Sequence, residues 1–247
     1  MERIAIFAAL HWECRPVLRQ MRQVRRERAG NFTLWRGSTA RCEVMLVKTG
    51  MGVVQAEAAA RTVRDKGEFA LFMSTGCAGG LVAELVPGDV ALATAIVGDA
   101  HGQFETHHGR RSSARRAAER AALRVTSGLV LCSPRALATA EHKRNAATQY
   151  GAVAVEMEGA AIAAEAAARG IPFVSVRAVL DAAGTELRYA GRFVDAQRGA
   201  VKPLALAGYL ATHPAALTDL LAMQRMVHAA QVSLERFFAA WCCALDS

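Results

Sequence analysis

The stretch from Ala152 to Val179 limits the possible folds most. Ala152 to Val155 is a short apolar run, Met157 to Arg169 is alanine-rich and reads as helix, Gly170 stops it, and Phe173 to Val179 is apolar again. Strand, helix, glycine stop and strand predict a crossover joining parallel strands. The same alternation recurs upstream. Arg3 to Ala9 reads as a buried strand, and Pro16 to Arg28 as a helix with proline near its start. Phe32 to Arg36 and Val44 to Lys48 read as a strand pair, and Val53 to Lys66 as helix. Phe69 to Ser74, Asp89 to Val97 and Gly128 to Cys132 are further strands, the last two separated by the basic segment Arg110 to Arg124. An α/β fold follows, a twisted sheet flanked by helices. From about residue 200 the chain turns helical, with Pro203 and Pro214 as breaks and a last helix from about Ala215 to Trp241. No repeat or linker divides the chain, so one domain over 1–247 with a C-terminal helical extension is expected.

Composition narrows the class. At 247 residues, 53% hydrophobic and 21% charged, the chain can bury a sizeable core, which argues against disorder. No apolar run approaches the roughly 20 residues a membrane span requires. Met1-Glu2-Arg3 does not open a secretory signal pattern, and a cytoplasmic protein is expected. Its six cysteines include no C-x-x-C pair, so reduced thiols are expected. His101, His107 and His108 lack a second ligand pair, which disfavours zinc. The net charge of +8 is held largely in Arg19 to Arg28 and Arg110 to Arg124. Neither segment interleaves aromatics, so solvated helix faces are expected rather than nucleic-acid binding.

In open α/β sheets, ligands sit beyond the carboxyl ends of the strands. His11-Trp12-Glu13, Thr49-Gly-Met-Gly52, a glycine-rich loop at Thr75–Gly80, Glu156-Met-Glu158 and Leu180-Asp181 all follow predicted strands. Glycine lets a backbone approach a ligand closely and present its N–H groups. Neither glycine segment matches a Walker or dinucleotide fingerprint. Carboxylates at strand ends say more, because burying one costs several kcal/mol unless it is paired or used. A helix-capping role for Glu156 or Glu158 is the alternative.

These segments together resemble the nucleoside phosphorylase/nucleosidase superfamily. The resemblance is carried by Thr49-Gly-Met-Gly52, Ser74-Thr-Gly-Cys-Ala-Gly-Gly-Leu81 with Pro87-Gly-Asp89, Ala154-Val-Glu-Met-Glu-Gly159 and Arg177-Ala-Val-Leu-Asp181. It covers roughly residues 3 to 185 and implies a three-layer phosphorylase-like fold with a central mixed β-sheet. One similar branch is the methylthioadenosine/S-adenosylhomocysteine nucleosidases. Ser133 to Lys143, Val201-Lys-Pro-Leu-Ala-Leu and His213-Pro look more like the hopanoid-associated phosphorylase branch, linked to removing adenine from adenosylhopane.

The resemblance implies that Asp181 protonates the purine N7, Glu158 binds ribose hydroxyls and Met157 packs beneath the sugar. It makes Glu13 the base that positions water, and Glu156 is expected to bind substrate beside Glu158. Cys77, Ala78 and Gly79 would line the base pocket, and Arg177 would lie near the acid. No metal or organic cofactor is implied. Cleaving a ribosyl–purine bond passes through a cationic sugar, which nearby carboxylates stabilise. Phosphate would need a cationic cradle. The glycine segment has no arginine and the first loop offers Glu13, although His11 and Arg15 flank it, so hydrolysis is favoured over phosphorolysis. Leu180 replaces a serine, Cys132 to Ala136 lacks the aromatic that stacks on adenine, and Cys77 replaces a serine. A divergent, 5'-modified adenosine fits these departures, adenosylhopane ahead of methylthioadenosine.

Leu217, Leu220, Leu221, Met223, Met226 and Val227 recur at roughly helical spacing, followed by Phe237, Phe238 and Trp241. They form either a packing face or an apolar lip for a lipid-linked nucleoside or a membrane surface. A homodimer or larger assembly is implied by the resemblance. A nucleoside-sensing protein without catalysis is the rival reading, disfavoured because Glu13, Glu158 and Asp181 are all present.

Overall fold

β1 (Glu2–Ala8) lies inside the sheet, between β4 (Cys42–Lys48) and β5 (Leu71–Gly80), parallel to both. Its run Ile4-Ala-Ile-Phe-Ala8 is buried on both faces, as expected for a strand covered by helices on each side. The computed structural model describes residues 1–40, 42–98, 101–187 and 216–244. β3 (Phe32–Ser38) and β2 (Arg22–Ala29) continue the sheet antiparallel beyond β4. On the other side are β10 (Phe173–Asp181), β6 (Val90–Gly98), β8 (Val125–Cys132) and β9 (Ala152–Glu156), while β7 (Gly102–Glu105) pairs with β6.

The ten-stranded sheet is mixed and partly closed. β10 pairs with β5 along its length, and β9 pairs antiparallel with β5 at Gly79 and Gly80. The strands β5, β10, β6, β8 and β9 therefore form a ring, with β1, β4, β3 and β2 extending from it. The expected α/β fold is borne out, but several local expectations are not. β9 and β10 are not neighbours and run antiparallel, since β9 opposes β5 while β10 follows it. The strand–helix–strand run thus spans the ring instead of making a parallel crossover. Hydrophobic periodicity reports element type, whereas the partner is chosen by sheet closure.

The second correction is Pro16 to Arg28. α1 covers only His11–Leu18, and Arg22 to Ala29 is the edge strand β2. Its arginines face water on an edge, where charge also discourages further pairing. The glycine-rich Thr75–Gly80 is likewise not a loop but the end of β5. The helix after β9 begins at Gly159, not Met157.

Helices cover both faces. α2 (Val53–Arg64) and α5 (Gly159–Ala167) pack with Phe7, Phe72, Leu34 and Val47 in one core. α1, α3 (His108–Arg120) and α6 (Ala216–Ala244) cover the other with Ile4, Ile6, Trp35, Leu46 and Met73. Successive β1 residues alternate between the two cores, as a pleated strand requires. α4 (Ala140–Tyr150) packs beside β8 and β9 and ends at Gly151 in a left-handed conformation. The C-terminal half of α6 buries Leu234, Phe237, Phe238 and Trp241, so this part of the apolar face is packing, as one of the two expectations had it. Residues 200–215, including Val201 to Leu206 and His213-Pro214, lie outside the described residues. Among the described residues, no helix is long and apolar enough to cross a membrane.

Candidate active site

Three elements end at one cavity. The start of α1 brings Glu13, the end of β5 brings Cys77, Ala78 and Gly79, and β9 with its following turn brings Glu156, Met157 and Glu158. Asp181, at the tip of β10, closes the fourth side. Arg135, Ala136 and Leu137 after β8, Met51 before α2, and Leu10 and Leu180 complete much of the lining. Of the nine site residues expected from the sequence, eight line this cavity. Arg177 does not; it lies behind the wall.

Glu13 is only 4% exposed, and both carboxylate oxygens are held by backbone amides. Leu10 N donates to Oε2 at 2.8 Å and Cys77 N to Oε1 at 2.8 Å. Burial raises its pKa, while these amides and Arg177 pull it down. The Glu13 carboxylate explains Gly76. At φ +136° an added Cβ would lie 2.6 Å from Glu13 Oε1, so only glycine fits.

Glu158 immediately precedes α5 and receives Gly52 N on Oε1 at 2.8 Å. Its carboxyl is raised to about 7, first by burial and then by the Glu156 charge, against Arg177 and the Gly52 amide. Glu156 is used differently. Its oxygens accept Glu158 N at 3.0 Å and Gly159 N at 2.9 and 2.8 Å, and it pairs with the Arg177 guanidinium. The capping alternative therefore describes Glu156, and Glu158 keeps an oxygen for other partners. Arg177 also donates to Thr75 O at 3.0 Å and to Ser74 Oγ at 2.6 Å, with Glu158 Oε2 3.9 Å from its Nη1. One guanidinium thus faces Glu13, Glu156 and Glu158. Burial raises both Glu13 and Glu158, and at Glu158 the neighbouring Glu156 charge adds to it; a cluster of carboxyls so placed suits a cationic sugar above them.

Asp181 is 2% exposed and ion-paired to Lys143, which is itself fully buried. Burial raises the Asp181 pKa, and Lys143 opposes that rise. A break in register between Val179 and Asp181 turns the carboxyl over Gly79, whose added Cβ would lie 3.4 Å from Asp181 Oδ2. The Cys77 thiol is pushed well up by burial and by Glu13, so it is not a ready nucleophile.

Lys143 is the main residue that sequence reading missed. It lies in Ala140-Glu-His-Lys-Arg-Asn-Ala, where polar residues surround it and nothing marks one lysine as buried. Met51 and the amides of Leu10, Gly52 and Cys77 were also beyond side-chain motifs. Among the described residues, no cluster of three or more His, Cys, Asp or Glu side chains could hold a metal ion. His107 instead accepts Arg110 N at 3.3 Å as the cap of α3.

Comparison with known proteins agrees with the geometry. The chain is 30% identical over 202 residues to the 5'-methylthioadenosine/S-adenosylhomocysteine nucleosidase of Anoxybacillus flavithermus, covering 74% of this chain and 87% of that one. In structure it is similar to the nucleosidase of that name from Neisseria meningitidis in complex with methylthio-immucillin-A, at TM-score 0.78 and 22% identity over 99% and 100% of the chains. It is also similar to futalosine hydrolase of Helicobacter pylori, at TM-score 0.76 and 17% identity over 97% of each chain. The expected class, an N-glycosyl hydrolase, agrees with these relatives. The family model of the phosphorylase superfamily matches residues 3–205, and the chain belongs to that superfamily.

Proposed function

We propose that the chain is a purine nucleosidase that hydrolyses the N-glycosidic bond of a 5'-modified adenosine and releases adenine, with adenosylhopane as its substrate. The observation that carries the nucleosidase reading is the set of three buried carboxyls, Glu13, Glu158 and Asp181, facing one cavity with raised pKa values. Asp181 protonates the base, Glu158 accepts the ribose hydroxyls above Met157, and Glu13 takes the proton of the attacking water. Cys77, Ala78 and Gly79 present backbone and small side chains to the base. Arg177, through Glu156, holds the turn that carries Glu158.

Hydrolysis is supported over phosphorolysis by charge. Arg177 and Lys143 are both committed to carboxylates, and among the described residues Arg135 is the one cationic side chain in the lining. Phosphate beside Glu13 would be repelled. The lipid-linked substrate is supported by the hopanoid-like segments in the sequence and by the apolar lining at Leu10, Met51, Leu137, Leu180 and Leu187. Ala136 and Leu137 stand there without an aromatic for the small nucleoside's base. Methylthioadenosine is the second reading, favoured by the curated relative above.

The test is adenine release from methylthioadenosine, S-adenosylhomocysteine and an adenosyl-hopanoid, each with and without phosphate. Release from the hopanoid alone and without phosphate is the expected result. Release from the small thio-nucleosides alone moves the chain to the second reading, and a phosphate requirement overturns hydrolysis. The protein acts as a homodimer or larger, so a strict monomer in sedimentation at micromolar concentration overturns that part. Cosedimentation with anionic vesicles tests peripheral membrane contact.

A further inference from the structure

We propose that Lys143 acts through Asp181, as the residue that both positions it and supplies the proton it passes to the leaving base. This rests on the nucleosidase reading of the same site.

Lys143 is buried completely on α4, and its side chain reaches across to the tip of β10. Its ammonium meets three acceptors. These are Asp181 Oδ2, Ala182 O at 2.8 Å and Thr185 O at 2.9 Å. An ammonium has three N–H donors and no acceptor, so the cradle matches the charged form atom for atom. Two of the three acceptors are carbonyls of the segment that follows β10. Thr185 N returns to Ala182 O at 3.0 Å and Leu187 N reaches Ala138 O at 2.8 Å, so the segment is folded around this nitrogen. Burying an ammonium costs several kcal/mol unless it is paired or used. It is useful where the carboxyl must receive a proton as it gives one.

The step balances. As the bond from C1' to the purine breaks, its electron pair passes to the base. A proton moves from Lys143 Nζ to the Asp181 carboxylate, and the carboxylic acid so formed donates it to N7. Water adds its oxygen to C1' and loses a proton to Glu13. Lys143 ends as the neutral amine and Glu13 as the acid, and exchange with solvent restores both.

The Cys77 thiol on β5 feels the charges of Glu13, Arg177, Asp181 and Glu158 together. None of them supplies a second cation within bonding distance of Asp181, because Arg177 is engaged by Glu156, Thr75 and Ser74.

The experiment compares wild type, Lys143→Met and Lys143→Arg for adenine release from the nucleoside the wild type cleaves, across pH 5 to 11, with folding followed by circular dichroism. Loss of the lysine proton should lower kcat by about 10²- to 10³-fold while KM changes little, the range of general acid catalysis. Lys143→Arg keeps a positioning cation that does not give up its proton, so its kcat should fall as in Lys143→Met while KM again changes little. A folded Lys143→Met or Lys143→Arg enzyme with wild-type kcat overturns the proposal, as does a loss that appears in KM and not in kcat. If Lys143→Met does not fold, Lys143→Arg alone decides. Failure of the wild type to release adenine from any purine nucleoside overturns the nucleosidase reading and the relay with it, which separates the two failures.

Discussion

Burial raises the Glu158 carboxyl to about 7, from an ordinary value of 4.5, and this carries a sign for stability. The folded state holds the proton more tightly than the unfolded chain, so the fold is favoured below pH 4.5 and loses that contribution as pH rises through about 7. Glu158→Gln should remove this loss, and its melting temperature should gain on wild type as pH climbs through that window in thermal denaturation. Asp181 and Glu13 are also raised, yet their chemistry runs in opposite directions. The acid side must have a proton to give and the base must not hold one, so adenine release should peak between an acid and an alkaline limb. Asp181→Asn should lower kcat by about 10²-fold or more, and it should also lower the melting temperature, because it leaves Lys143 buried without its counter-ion. Cleavage unchanged in that variant would remove Asp181 from the mechanism. The carboxyls themselves were readable as strand-end positions. The direction of their pKa shifts was not, because it depends on burial and on Arg177 and Lys143, which arrive from β10 and α4.

At the scale of the element, β5 and β10 matter most. β5 runs past the glycine-rich stretch as a strand, and Gly76 gives Glu13 room beside the backbone. Gly76→Ala would place a methyl 2.6 Å from that carboxylate at a φ only glycine adopts readily. It should destabilise the fold by about 1–3 kcal/mol and depress kcat further than stability explains, checked by urea unfolding beside steady-state rates. In β10, Arg177→Met leaves Glu156 buried without its cation, which should cost about 3–5 kcal/mol. The glycine-rich motif was legible as chemistry but misread as a loop, since glycines that weaken a strand in isolation are accepted where β10 and β9 pair along it. Arg22 to Ala29 shows the converse. Its charges match a helix surface and an edge strand equally well, and pairing with β3 decided between them.

For the molecule as a whole, two apolar cores on opposite faces of the sheet hold the cavity rim together. α6 contributes Phe237, Phe238 and Trp241 to one of them, while Leu221 near its start is 45% exposed. Phe237→Ala should cost about 3–5 kcal/mol, whereas Leu221→Ala should stay within about 0.5 kcal/mol, both read from denaturant unfolding. A large effect at Leu221 would mean that a partner covers it. What the sequence determined by itself was most of the order of strands and helices, the carboxylates at strand ends and the superfamily, because local periodicity and short motifs survive in one dimension. The closing of β5 to β10 and β9, the antiparallel setting of β9, and the meeting of Lys143 with Asp181 were decided only in three dimensions. Each joins segments dozens of residues apart, and strand partners and buried ion pairs are chosen by packing and desolvation across the whole sheet, for which no local pattern exists.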